Sequence, residues 1–180
     1  MRPGLSSRIV ALALCGCAAL AAAQQKSDWE LEQEKRNWRE DEVGLPALPK
    51  GSGLIEFSVS ANSSFRFYID AQSLSVGADG VVRYTMVARS PAGVETVSYE
   101  GIRCASDSFR VYAFASGGVW KRSNTDWQPI AGLQGGAQRP WHNALSSEYF
   151  CPLGMAIGKA AEGIDALRRG RHPSLLNTTR

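Results

Sequence analysis

The residues able to do chemistry in this chain are few. They are His142 and His172, Cys104 and Cys151, and the carboxylates Glu56, Asp70, Glu95 and Glu100. A Ser-His-acid triad would have to recruit His142, and the chain has no G-x-S-x-G elbow to present the serine. His142 follows Trp141 at a helix start and reads as a surface or capping histidine. With the cysteines paired, two separated histidines and scattered acids give no H-E-x-x-H or similar ligand spacing. There is no P-loop and no G-x-G-x-x-G, and Gly132-Leu133-Gln134-Gly135-Gly136 lacks the lysine a phosphate loop carries, so it reads as plain loop. Accordingly no catalytic residue, metal or cofactor is expected. The four carboxylates fall on alternating segments, and on alternation most of them would face solvent. A hydrolase acting on an envelope component remains the alternative, because paired acids meet in space rather than in sequence.

A binding surface is the other candidate. Arg83, Arg103, Arg110, Tyr112, Trp120 and Lys121 interleave cations and aromatic rings along predicted strands. On one sheet face they would suit an anionic or glycan ligand, although the polar outer face of a half-solvated sheet has the same composition. The expected partner is such a ligand or an envelope protein, and nucleic acid is not expected. Net charge is +3, while residues 26–42 hold seven acids against four bases. An acidic arm and a basic body attract each other only weakly through salt solution.

The compartment follows from the N-terminus. Arg2 and Arg8 precede an apolar run, Ile9 to Leu20, and Ala21-Ala22-Ala23 offers small residues before a cut at Gln24. That is a secretory signal, residues 1–23, too short for a membrane span. Leu14-Cys15-Gly16-Cys17 offers a second route, lipidation at Cys17 and peripheral membrane attachment. Export, to the periplasm or to outer-membrane association, favours a Cys104–Cys151 disulfide over a reactive thiol, and no C-x-x-C spacing supports the latter. A loop of that length stabilises by about 4 kcal/mol through chain entropy.

Asp70 to Cys104 organises the elements that must position these residues. The turn signals Gly77-Ala78-Asp79-Gly80 and Ser90-Pro91-Ala92-Gly93 cut it into three extended runs. Leu54–Ser60 and Phe65–Asp70 alternate before it, and Phe109–Ala115 and Val119–Arg122 follow it. Phe109–Ala115, apolar on both faces apart from Arg110, reads as the sheet centre. The apolar phase moves after Gly101, as a bulge there would make it. Trp141–Phe150 and Met155–Arg169 have helical spacing, and Gly170 stops the second. The expectation is α+β: an antiparallel meander of about six to eight strands, two C-terminal helices packed on it, and an N-terminal helical arm. Its divisions are signal 1–23, arm and Pro/Gly linker 24–53, domain 54–170, and disordered tail 171–180.

Several unlike segments, in order, carry a resemblance. They are Leu54-Ile55-Glu56-Phe57, Phe67-Tyr68-Ile69-Asp70, Ser73 through Tyr84, Tyr99-Glu100-Gly101-Ile102-Arg103-Cys104, Trp127-Gln128-Pro129-Ile130 and Tyr149-Phe150-Cys151-Pro152. Together they resemble the cryptic neisserial protein-like family of proteobacterial envelope proteins. The resemblance implies periplasmic or outer-membrane-associated residence, and it supplies no catalytic residues to carry over.

Overall fold

The computed structural model describes residues 27, 29, 33, 36–59, 63–130 and 140–176. The signal segment with Cys17, the Gly132–Gly136 loop and residues 177–180 lie outside the described residues. The chain forms two compact units, Met1–Trp38 and Arg39–Arg180. In the first, Trp29, Gln33, Arg36 and Asn37 are helical.

The second unit is built on one antiparallel sheet. Its strands are β1 (Leu54–Phe57), β2 (Arg66–Val76), β3 (Val81–Arg89), β4 (Glu95–Arg103), β5 (Ser108–Ser116), β6 (Val119–Arg122) and the short β7 (Gln128–Pro129). The order is β1-β2-β3-β4-β5-β6, with β7 also paired to β5. The turns expected from sequence are in place. Gly80 sits at φ 76°, which only glycine adopts cheaply, and its N–H closes the turn on the Gly77 carbonyl. After the sheet come α1 (Pro140–Ala144), a π-helical turn over Leu145–Phe150, α2 (Ala160–Arg169) and α3 (Pro173–Leu176).

Period-two alternation sends Phe67 and Ile69 of β2, Val82, Tyr84 and Met86 of β3, and Ile102 of β4 to one face. Leu145, Tyr149 and Phe150 from the helical turn, and Ala166 and Leu167 from α2, close over that face as the core. Gly163 lets α2 lie tight on the sheet: a Cβ there would stand 2.7 Å from Ile157 and 3.0 Å from Leu74. Each large apolar side chain buried this way contributes about 1.5–3 kcal/mol. The Cys104–Cys151 disulfide ties the end of β4 to the end of the π-helical turn, with the Cα atoms 5.5 Å apart.

Several sequence expectations need correcting. β3, not β5, is the central strand, and eight of its nine residues are buried. β4 carries no bulge at Gly101. The register shift lies between Tyr99 and Glu100 against β5, where Tyr112 is the extra residue. Position 101 is glycine because a Cβ there would meet the Tyr112 hydroxyl at 2.5 Å and Val81 at 2.9 Å. The second helix starts at Ala160 rather than Met155. Residues 171–176 are ordered: the buried His172 bonds Glu162 at 3.0 Å and Ser174 at 2.7 Å, and α3 follows it.

Candidate functional site

Glu100 is fully buried on the core face of β4, where register places it opposite Tyr84 of β3 and Val111 of β5. A bare carboxylate there would be untenable, so four donors surround it. The Ser98 hydroxyl donates to Oε1 at 2.6 Å. Tyr84 Oη at 3.2 Å and Trp141 Nε1 at 3.3 Å donate to Oε2, and His142 Nε2 lies 2.8 Å from the same oxygen. Burial pushes the Glu100 carboxyl up, yet His142, Ser98 and Trp141 outweigh it and hold the group below the ordinary carboxylate range. Burial, reinforced by the neighbouring carboxylate, pushes Tyr84 well above its ordinary value, so it stays a protonated donor.

His142 reaches Glu100 because α1 lies across this face and the π-helical turn behind it is anchored by Cys151. Its ring stacks on Phe109 with centroids 3.6 Å apart, and its Nδ1 is buried without a hydrogen-bond partner among the described residues. Both sequence expectations here were wrong. Glu100 does not face solvent and His142 is not at the surface. Along β4 both faces are buried from Ser98 to Ile102, so alternation alone could not tell which face was the core. Of the other acids, Glu56 and Glu95 are exposed and paired with Arg66 and Arg89, whereas Asp70 is also buried.

Beside this cluster a cavity of about 400 Å³ opens at the surface. Phe65, Phe67, Met86, Phe114 and Trp141 form its walls, with Ser98 and Glu100 among the few polar groups in its lining. Phe67 packs between Phe65 and Trp141, at centroid distances of 6.4 and 5.7 Å.

The opposite face of the sheet holds most of the predicted cation–aromatic set, and residues of the same unit cover it. Glu40 accepts from Arg110 Nη1 at 2.7 Å, Tyr112 Oη at 2.6 Å and Trp127 Nε1 at 3.3 Å, and Arg83 lies 3.8 Å away. The Trp120 indole donates to the Pro46 carbonyl at 2.7 Å. Asp41 and Asp79 exchange backbone-to-carboxylate bonds at 2.9 and 3.2 Å, and Asp79 also takes both terminal nitrogens of Arg83. Burial, with Glu40 adding to it, pushes the Tyr112 phenol well above its ordinary value. Arg83, Arg110, Tyr112 and Trp120 thus come together around the segment 40–46. Arg103 lies on the same side within reach of the Asp79 charge. Lys121 is apart, because its register partner is Phe114 on the cavity side.

Among the described residues no group of three or more His, Cys, Asp or Glu is placed to hold a metal ion, and no helix is long and apolar enough to cross a membrane. The CNP1-like family matches residues 33–168. The chain belongs to that family. It is 25% identical over 141 residues to cryptic neisserial protein 1 of Neisseria gonorrhoeae, covering 69% of this chain and 68% of that protein. No solved structure matches it. The CNP1-like span takes in the Glu40 segment, the Glu100 cluster and the cavity walls. It stops one residue short of the end of α2, so His172 and α3 lie beyond it.

Proposed function

We propose that this protein is an exported envelope protein, periplasmic or outer-membrane-associated, that works as a non-enzymatic binding domain. Its cavity takes the apolar part of a small ligand. The cavity itself carries the reading: a mostly apolar hollow of about 400 Å³ with aromatic walls and a few fixed polar groups has the make-up of a small-molecule site. The signal pattern of residues 1–23 and a disulfide suited to an oxidising compartment support export. The hydrolase alternative has less support. Glu100 already accepts from four donors, and His142 is 1% exposed and does not line the cavity, so neither is free to exchange a proton with a ligand.

The test is fluorescence titration of the mature protein with a neutral apolar probe, N-phenyl-1-naphthylamine. Thr96 is exposed, lines the cavity and pairs with Ala88 across the strands. Thr96→Phe therefore fills the cavity without entering the core. Saturable binding that Thr96→Phe abolishes, with the urea midpoint unchanged, is the expected result. Binding that never saturates, or that ignores Thr96→Phe, sinks the proposal. The mass of the mature N-terminus checks export separately: cleavage before Gln24 gives the free form, and acylated Cys17 the tethered one.

A further inference from the structure

Resting on that reading of the cavity, we propose that its ligand is a single-chain amphiphile with an anionic head, the chain lying in the cavity and the head at its mouth beside Lys121. The topology makes the mouth unusual. In an antiparallel meander the start of β2, the β3–β4 turn, the end of β5 and the start of β6 all lie at one end of the sheet. That end carries Phe65 (46% exposed), Val94 (67%), Phe114 (37%) and Val119 (57%), and Phe65 and Phe114 also line the cavity. Solvent-facing apolar side chains gathered at an apolar opening are a feature of surfaces that receive an apolar ligand.

The charges fix which way an amphiphile would lie. Lys121 is exposed and has no ion pair among the described residues. It faces the cavity side as the cross-strand partner of Phe114, and directly opposed side chains have Cβ atoms about 5 Å apart. The acids of this end, Glu56 and Glu95, are already paired with Arg66 and Arg89. Arg66 and Arg89 are partners across β2 and β3, with side chains on the face opposite the cavity. The mouth therefore presents a free cation. The floor presents the reverse: the Glu100 oxygens are taken by protein donors, and none of the described residues lining it is a cation that would pair with an anionic head. Entering head-first would strand a charge against a carboxylate, whereas entering chain-first leaves the head at Lys121 and in water.

Displacement of bound N-phenyl-1-naphthylamine by dodecanoate, dodecyl phosphate and dodecanol tests this on the mature chain. An exposed ion pair of good geometry is worth about 0.4–1 kcal/mol, the upper part of the usual range, so the better anion should displace the probe at a concentration about two- to fivefold below that of dodecanol. Lys121→Met should remove that preference while leaving dodecanol unchanged, and the stronger of the two anions identifies the head group. Equal displacement by all three, or an anion preference that survives Lys121→Met, overturns the proposal while leaving the cavity reading intact. Failure of the probe to bind at all overturns both.

Discussion

Truncating Glu100 is the sharpest perturbation this fold allows, because it separates a buried charge from the packing around it. Glu100→Ala removes the acceptor of the buried Tyr84 Oη and His142 Nε2, deletes the bond that Trp141 Nε1 makes to it, and frees the Ser98 hydroxyl. An abandoned buried donor costs about 1–3 kcal/mol, and breaking one side of a buried pair costs about 3–5 kcal/mol in total. The variant should therefore lose about 3–5 kcal/mol, a large part of the stability of a domain this size. Glu100→Gln keeps the shape. Its amide oxygen can take the Oε2 position shared by three donors, and its NH₂ can donate to Ser98 Oγ, which can turn to accept. Only charge assistance is lost. Charged hydrogen bonds contribute about 1.5–3 kcal/mol against about 0.5–1.5 for neutral ones, so Gln should cost about 1–2 kcal/mol. Urea unfolding at neutral pH with the disulfide intact, followed by tryptophan fluorescence, measures both. A Glu100→Ala loss under about 1 kcal/mol, or Gln as damaging as Ala, would refute the idea that this carboxylate holds α1 on the sheet.

Two further outcomes follow from the same contacts. Glu40→Ala should cost about 1–3 kcal/mol by removing the acceptor of Arg110, Tyr112 and Trp127, and it should speed limited proteolysis within residues 42–50; an unchanged cleavage rate there would mean that Trp120 and Asp79 suffice to hold the segment. Asp79, Glu100 and Glu162 all have carboxyls held below their ordinary range against the opposing effect of burial, by Arg83, His142 and the Gly158 N–H with His172 respectively. Folded values below unfolded ones mean these groups stabilise above about pH 4 and lose that contribution as pH falls through their folded values, so the urea midpoint should drop steeply below about pH 4 and stay flat if these pairings are absent.

The meander was legible because its signals are local. Turn glycines, β-branched alternation and the stop at Gly170 act within a few residues, and the β3 and β6 boundaries fall where the pattern put them. The two cysteines carried long-range information because their compartment restricts what they do. The buried acid was not legible. Alternation assumes that one face is wet, and between Ser98 and Ile102 neither is. What dries the outer face is the segment 40–46, which carries three acids, a glycine and a proline and therefore reads as linker. Its Glu40 carboxylate matches Arg110 and Tyr112 and its Pro46 carbonyl matches Trp120, residues about 70 positions away. No periodicity reports such a match. The same blindness made the cation–aromatic set look like an open ligand face, when Glu40 already sits in it.

This covering of both faces narrows where a ligand can act. Helices close one side of the sheet and the segment 40–46 closes the other, so the polar groups that looked functional in sequence are largely spent on each other. The described residues leave apolar surface open at the end of the sheet where β2 and β4 begin and β3 and β5 finish, and there the aromatic walls continue inward as the cavity. The Glu100 cluster beneath it has a consequence for binding even without touching the ligand. Trp141 donates to Glu100 and forms part of the cavity wall, so the buried charge fixes the rotamer of a residue the ligand would meet. Loosening the cluster should then weaken binding as well as stability: Glu100→Gln, which keeps the wall in place, should bind the apolar probe within about threefold of the parent, whereas Trp141→Phe, which keeps a ring but loses the anchoring N–H, should weaken it more. If Trp141→Phe binds as the parent does, the wall is set by ring packing such as that against Phe67 and His142, and the carboxylate has no part in recognition.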